Sequence, residues 1–117
     1  MKLNLPIPPS ANRIWRRVGN RTLLSREGRQ YRKRVCDILQ ILGVQPMTGP
    51  LDVRIDFFPP DRRRRDLDNL NKALLDALAF GGAYHDDSQI FRLMLERREV
   101  MPGGGVRVQI EKYVQNH

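Results

Sequence analysis

The hydrophobic periodicities of this chain predict an α+β fold, a small mixed β-sheet with two helices packed on one face. Three observations carry that expectation. Apolar residues alternate with polar ones at Leu51, Val53, Ile55 and Phe57 and again at Val106, Val108 and Ile110, the period of half-buried strands. They recur at helical spacing at Tyr31, Val35, Ile38 and Leu42 and at Leu67, Leu70, Leu74 and Leu78. Apolar residues make up 40% of a 117-residue chain, which suits one domain spanning 1–117 with a core of its own.

The elements follow in the order β-α-β-α-β-β. Met1 to Leu5 reads as a short strand, stopped by Pro6, Pro8 and Pro9. Ser10 to about Leu24 reads as an arginine-rich loop around Trp15. Ser25 is placed to cap the first helix, which Gly43 ends. A connector from Gln45 to Pro50 leads to the strand at Leu51, which Pro59-Pro60 terminates. The second helix runs from about Leu67 to Ala79 and is closed by Gly81-Gly82. Ile90 to Val100 reads as a long strand, joined through Met101 to Gly105 as a hairpin to the strand at Val106. Cys36, the single cysteine, excludes an internal disulfide and falls on the apolar side of its helix. No apolar run is long enough to cross a membrane, and the first residues lack the apolar core of a signal peptide, so a cytoplasmic location is expected.

The formal net charge is +8, and its distribution points to a polyanion. Between Arg13 and Arg34 there are nine basic residues against one acid, Glu27. With Arg62, Arg63, Arg64 and Arg65, the residues Arg13, Arg16 and Arg17 are expected to hold phosphates, which fixes a nucleic-acid backbone without reading its sequence. Trp15 is suited either to stack on an unpaired base or to pack within its loop.

Carboxylates interrupt this basic field at two places. Asp66 and Asp68 flank Leu67 at a strand-to-helix junction; with the leucine turned inward, both acids face outward near a helix N-terminus. Carboxylates so close repel unless a cation intervenes, and hard oxygen ligands suit Mg²⁺ or Mn²⁺. Lys72 and Asp76 continue the face of Asp68 at four-residue spacing, which sets an ammonium one turn from the acids. An Asp-x-Asp pair alone is common, and Asp–Lys at this spacing is often an ordinary surface pair; four preceding arginines make the combination specific. Asp86-Asp87 offers one further ligand, since neighbours on a strand face opposite ways, or else a turn pair that caps backbone amides. His85 is better read as an exposed turn residue than as a base, and Asp52 and Asp56 as surface residues. Gly103-Gly104-Gly105 lacks the Gly-Lys-Ser/Thr of a phosphate-cradling loop.

The blocks Pro8-Pro9-Ser10-Ala11-Asn12-Arg13, Asp61 to Lys72 and Asp86-Asp87-Ser88-Gln89, in this order and spacing, resemble the RusA family of Holliday-junction resolvases across nearly the whole chain. The resemblance implies a RusA-like fold and a homodimeric, Mg²⁺-dependent endonuclease, with Mn²⁺ as a substitute. Such an enzyme nicks four-way DNA junctions in symmetric pairs during DNA recombination and repair, and is bacterial or phage-encoded within a bacterial host. It implies that Asp66, Asp68 and Asp87 bind the catalytic metal, with Asp87 rather than Asp86 the required member of its pair. It implies further that Lys72 is the essential lysine and that Arg65 contacts DNA. Trp15 departs from the residues expected in its loop. The C-terminal hairpin is expected to form part of the dimer surface. Two rival readings are a non-catalytic basic nucleic-acid-binding dimer whose acids serve as caps, and a metal-nucleotide transferase, for which the chain is short.

Overall fold

A computed structural model of the protein describes residues 1–10, 13 and 15–115; Ala11 and Asn12 of the first block, and His117, lie outside the described residues. Among the described residues six strands and two α-helices follow one another: β1 (Lys2–Leu5), β2 (Trp15–Val18), β3 (Arg21–Leu24), α1 (Arg26–Ile41), β4 (Leu51–Phe58), α2 (Leu67–Phe80), β5 (Ile90–Arg97) and β6 (Gly105–Lys112). A single 3₁₀ turn, Asp87–Gln89, precedes β5. The main sheet has the order β1-β6-β4-β5 and is mixed, because β5 runs parallel to β4 while β6 is antiparallel to both β4 and β1.

The expected α+β fold is present, with its period-two strands and both helices. Leu51, Val53, Ile55 and Phe57 of β4 are buried and join Val106, Val108 and Ile110 of β6 with Leu3 and Leu5 of β1 in one core. Tyr31, Val35 and Leu39 of α1 and Leu70, Leu74 and Leu78 of α2 complete it. Each such side chain contributes roughly 1.5–3 kcal/mol on leaving water. The other face of β4 carries charge instead: Asp52 pairs with Arg92, and Arg54 with Glu96. Asp56, buried on that face, lies between Arg54 and Arg98. Both helices thus share one side of the sheet.

Local signals fix the helix ends. The Ser25 hydroxyl accepts from the Gly28 N–H at 3.1 Å and caps α1. The α1 helix stops where Val44 N–H reaches back to the Leu39 carbonyl across Gly43, whose φ of 68° is open to glycine without strain. The α2 helix ends in the same way, with Ala83 N–H on the Leu78 carbonyl across Gly82. Gly81 meets a different demand. A side chain there would come within 2.7 Å of Leu39, so its lack of one lets the end of α2 lie against α1.

Four expectations are corrected. Asp56 is not a surface residue: it is buried at 5% exposure, with Arg54 and Arg98 each 3.6 Å from its carboxylate. Ser10 to Leu24 is not all loop: Trp15 pairs with Leu24 and Val18 with Arg21 in the antiparallel β2–β3 hairpin, turned at Gly19-Asn20. Gly-Asn between two short runs is a hairpin signal, hidden here by the density of arginine. The strands β5 and β6 do not form a hairpin, because β4 lies between them. Since α2 connects β4 to β5, the two strands run parallel as a crossover requires. The chain then passes the end of β4, where Arg98 N–H bonds the Phe57 carbonyl and Met101 N–H the Pro59 carbonyl, before β6 begins. The helix face of α1 is also rotated slightly: Leu39 is buried, whereas Leu42 is exposed.

Candidate active site

The N-terminus of α2 holds the first pair of acids. Asp66 is its N-cap, with one carboxylate oxygen accepting from the Asp68 N–H at 2.9 Å and the other 3.5 Å from the Asn69 side-chain amide. That use is structural, and carboxylate at a helix N-terminus is also favoured by the backbone dipole. Asp68 is exposed in the first turn, and among the described residues no backbone amide takes its side chain. One turn on, Lys72 is exposed, with its ammonium 5.1 Å from the centre of the Trp15 ring. Asp76, exposed one turn further, completes the face.

The second pair of acids is carried by the 3₁₀ turn. Asp86 caps that turn by accepting from the Ser88 N–H at 3.2 Å. Its carboxyl is held below the ordinary carboxylate range, first by that amide and then by hydrogen bonds with Asp87 and the Ser88 hydroxyl. Asp87 is pushed the other way, first by its hydrogen bond with Asp86, then by burial and the negative charges of Asp86 and Asp76. Tyr84 stands between the two segments: its hydroxyl donates to the Leu75 carbonyl at 2.8 Å. Burial raises its phenol, and the charges of Asp87, Asp76 and Asp86 raise it further. Asp76, near enough for its charge to act on Asp87, is thus a neighbour of both acidic segments as well as a spacing partner of Lys72.

Gln89, the last residue of the Asp86-Asp87-Ser88-Gln89 block, closes a capping box opened by Asp86. Its side-chain oxygen accepts from the N–H groups of His85 and Asp86 at 2.7 and 3.0 Å. Its amide donates to the carbonyls of Met47 and Gly49, both at 3.0 Å. This one side chain ties the acidic turn to the strand entrance. Gln89→Ala is expected to cost about 1–3 kcal/mol, because it removes four hydrogen bonds to backbone groups at once, the one to Met47 partly buried. Urea unfolding measures the loss, and an unchanged midpoint would show that water replaces the amide without cost.

Charge pairing divides the acids sharply. Asp37, Asp52, Asp56, Asp61, Glu96 and Glu99 each lie within 4.0 Å of a lysine or arginine nitrogen. Among the described residues, Asp66, Asp68, Asp76, Asp86 and Asp87 have no such partner, despite a net charge of +8; Glu27 and Glu111, apart from these five, have none either. Unpaired, exposed carboxylates on one edge are a hard-oxygen donor set fit for a divalent cation. They are not drawn together: among the described residues no three acidic, histidine or cysteine side chains converge into a metal cluster. Asp66 and Asp86 are engaged in their caps, and Asp86 and Asp87 share a hydrogen bond.

The arginines divide as well. Arg13, Arg16, Arg17, Arg62 and Arg64 are exposed and pair with no carboxylate among the described residues, leaving them free for phosphates. Arg65 is half-buried and grips Asp61 through both guanidinium nitrogens, at 2.7 and 3.3 Å. That grip, together with the Arg63 N–H, lowers the Asp61 carboxyl to about 2. Arg65 therefore braces the loop that leads into α2, with Arg63 more loosely on the same acid.

Comparison with known proteins bears on the same residues. The family described as Endodeoxyribonuclease RusA matches residues 6–111. The crossover junction endodeoxyribonuclease RusA of Escherichia coli strain K12 is 41% identical over 110 residues, covering 92% of this chain and 91% of that protein. The same figures hold for the protein of that name in Enterobacteria phage 82. The one in Enterobacteria phage HK97 is 40% identical over 107 residues, covering 91% and 89%.

Proposed function

The chain belongs to the RusA family of endodeoxyribonucleases, and on that premise we propose that it is a crossover junction endodeoxyribonuclease, resolving four-way DNA junctions by paired symmetric nicks. The proposal extends to a Mg²⁺-dependent reaction, with Mn²⁺ able to replace Mg²⁺. Asp66, Asp68 and Asp87 would hold the ion. The observation that carries the metal reading is that, of the seven carboxylates without a cationic partner among the described residues, five belong to α2 with its N-cap and to the 3₁₀ turn with its cap. A bound divalent ion supplies Lewis-acid polarisation of the phosphodiester and activation of the attacking water. The chain's own residues do the rest. Lys72 sets a positive charge one turn from Asp68, where negative charge builds on the transferred phosphate. Arg13, Arg16, Arg17, Arg62 and Arg64 hold the flanking backbone, and Arg65 stiffens the approach to Asp66.

A two-fold homodimer would present two such sites to symmetry-related strands of the junction. Support for pairing comes from β5, an edge strand with Phe91, Leu93 and Met94 exposed. The capping roles of Asp66 and Asp86 favour the rival reading, a binding dimer that does not cut. Asp68 has no such role, which favours the nuclease. The deciding experiment incubates a labelled four-way junction with protein and Mg²⁺ and resolves the strands on a denaturing gel. Paired nicks at symmetric positions are expected; tight binding without cleavage in either Mg²⁺ or Mn²⁺ would sink the nuclease reading.

The acidic turn yields a pH test in metal-free buffer. The folded chain raises the Asp87 carboxyl above its ordinary value, so its contribution to stability is fully present below the ordinary value and is lost as pH rises through the raised one. Asp87→Asn, which mimics the protonated form, is therefore expected to be more stable than the wild type at pH 8 and equal to it below the carboxylate range. Added Mg²⁺ should raise the melting temperature of the wild type at pH 8 and leave that of the variant nearly unchanged. Equal Mg²⁺ responses would remove Asp87 from the ion's ligands.

A further inference from the structure

Beside the acidic edge lies a cleft of about 400 Å³, open to solvent, between the β2–β3 hairpin and the two helices. That volume falls within the range of roughly 300–1,000 Å³ typical of small-ligand sites. Its walls are aromatic: Trp15 from the hairpin, Tyr31 from α1 and Phe80 from the end of α2. Ala73 and Ala77 of α2 leave the space between those walls open. Phe80 is largely exposed, with 59% of its surface facing solvent. Two charged groups stand among the rings, the Asp76 carboxylate and the Arg32 guanidinium, the latter 4.0 Å from the centre of the Phe80 ring. Lys72 stands over Trp15, on the helix face that also carries Asp68 and Asp76.

We propose that this cleft receives one nucleobase, unstacked from the bound DNA beside the phosphate that is cut. Flat aromatic walls gain from stacking on any base, whatever its sequence. A carboxylate and a guanidinium inside the cleft match the mixed donors and acceptors on a base edge, a pairing that a purely apolar occupant would leave unsatisfied. Exposed arginines on β2, at the lip of the same hairpin, meet the negative charge of the strand that delivers the base. With the base held there, its own phosphate lies toward Lys72 and the acids of α2. A branched junction suits this device because bases at its crossover give up less stacking than bases inside a duplex when drawn out. This inference rests on the nuclease reading for the place of the cut, but not for the presence of the base.

Trp15 is the chain's one tryptophan, so its emission reports on the cleft directly. The test uses the full chain carrying Asp68→Asn, to keep the DNA uncut, with Mg²⁺ and a fluorescein-labelled four-way junction. Binding, followed by anisotropy, is expected to quench Trp15. A walk of single abasic sites along the junction is expected to find one position, next to the incised phosphate, where the quench disappears and binding weakens by about tenfold, the size of one lost base stack. Adding Phe80→Ala should weaken binding of the intact junction by a similar factor and make it indifferent to that abasic site, a non-additivity that simple misfolding does not produce. Quenching that survives every abasic site overturns the proposal. So does a Trp15 signal that changes with protein concentration in the absence of DNA, since a second copy would then fill the cleft. Cleavage of the same junction by the wild type is measured in parallel. A junction that is cut without any base-dependent quench removes the base site alone, and a base-dependent quench without cutting removes the nuclease reading alone.

Discussion

Asp68→Asn is expected to abolish cleavage of a four-way junction in Mg²⁺, by about 10³-fold or more, while junction binding stays within a few-fold of wild type. The side chain is exposed in the first turn of α2, has no cationic partner among the described residues and caps no backbone amide. Its removal costs the fold little, since surface changes away from caps and cores usually fall within about 0.5 kcal/mol. The loss is confined to what the carboxylate does for a bound cation, and a divalent ion at a phosphoryl centre supplies several kcal/mol of transition-state stabilisation. Binding is expected to hold or tighten, because an acid facing phosphates weakens the complex. Single-turnover cleavage and anisotropy on one junction separate the two effects. Cleavage within tenfold of wild type would place the metal elsewhere. Asp66→Asn makes a less clean comparison, because Asp66 also caps α2 and its loss reduces stability as well as any activity.

Lys72→Ala is expected to reduce the cleavage rate by about 10²–10³-fold at saturating junction, the range for removing one preorganised group that meets developing charge. Binding should change little, because the exposed arginines of the hairpin and the loop before α2 carry the backbone contacts. The position of Lys72 makes the prediction sharp. It lies between Asp68 and Asp76 on one exposed helix face, yet pairs with neither within 4.0 Å; instead it stands over Trp15. Lys72→Met keeps much of the stem on the tryptophan and removes only the charge, so it should match Lys72→Ala in rate if charge is what matters. Unchanged cleavage in both variants would reduce Lys72 to a cover for Trp15.

Much of the site could be read in one dimension because its parts are close in the chain. Asp66, Asp68 and Lys72 belong to one helix start, where spacing alone dictates a shared face, and Ser25, Gly43 and Gly82 mark helix ends through backbone chemistry that acts over a few residues. Other features depended on distant partners. Gln89 looked like a polar residue before a strand, yet its amide spans to Met47 and Gly49. The nearness of Asp76 to Asp87 needed the crossover from β4 through α2 to be closed.

The sequence by itself determined the fold class, the periodic elements, the basic field and the acidic pairs, because periodicity, capping and charge are properties of neighbours along the chain. Only the tertiary structure decided that β4 separates β5 from β6, that the arginine-rich segment folds into a hairpin, and that this hairpin sets Trp15 beside Lys72 to frame an aromatic cleft. The physical reason is that strand pairing and cleft formation minimise exposed apolar surface and unpaired backbone groups over the whole chain at once, and no local pattern records which distant segment supplies the partner.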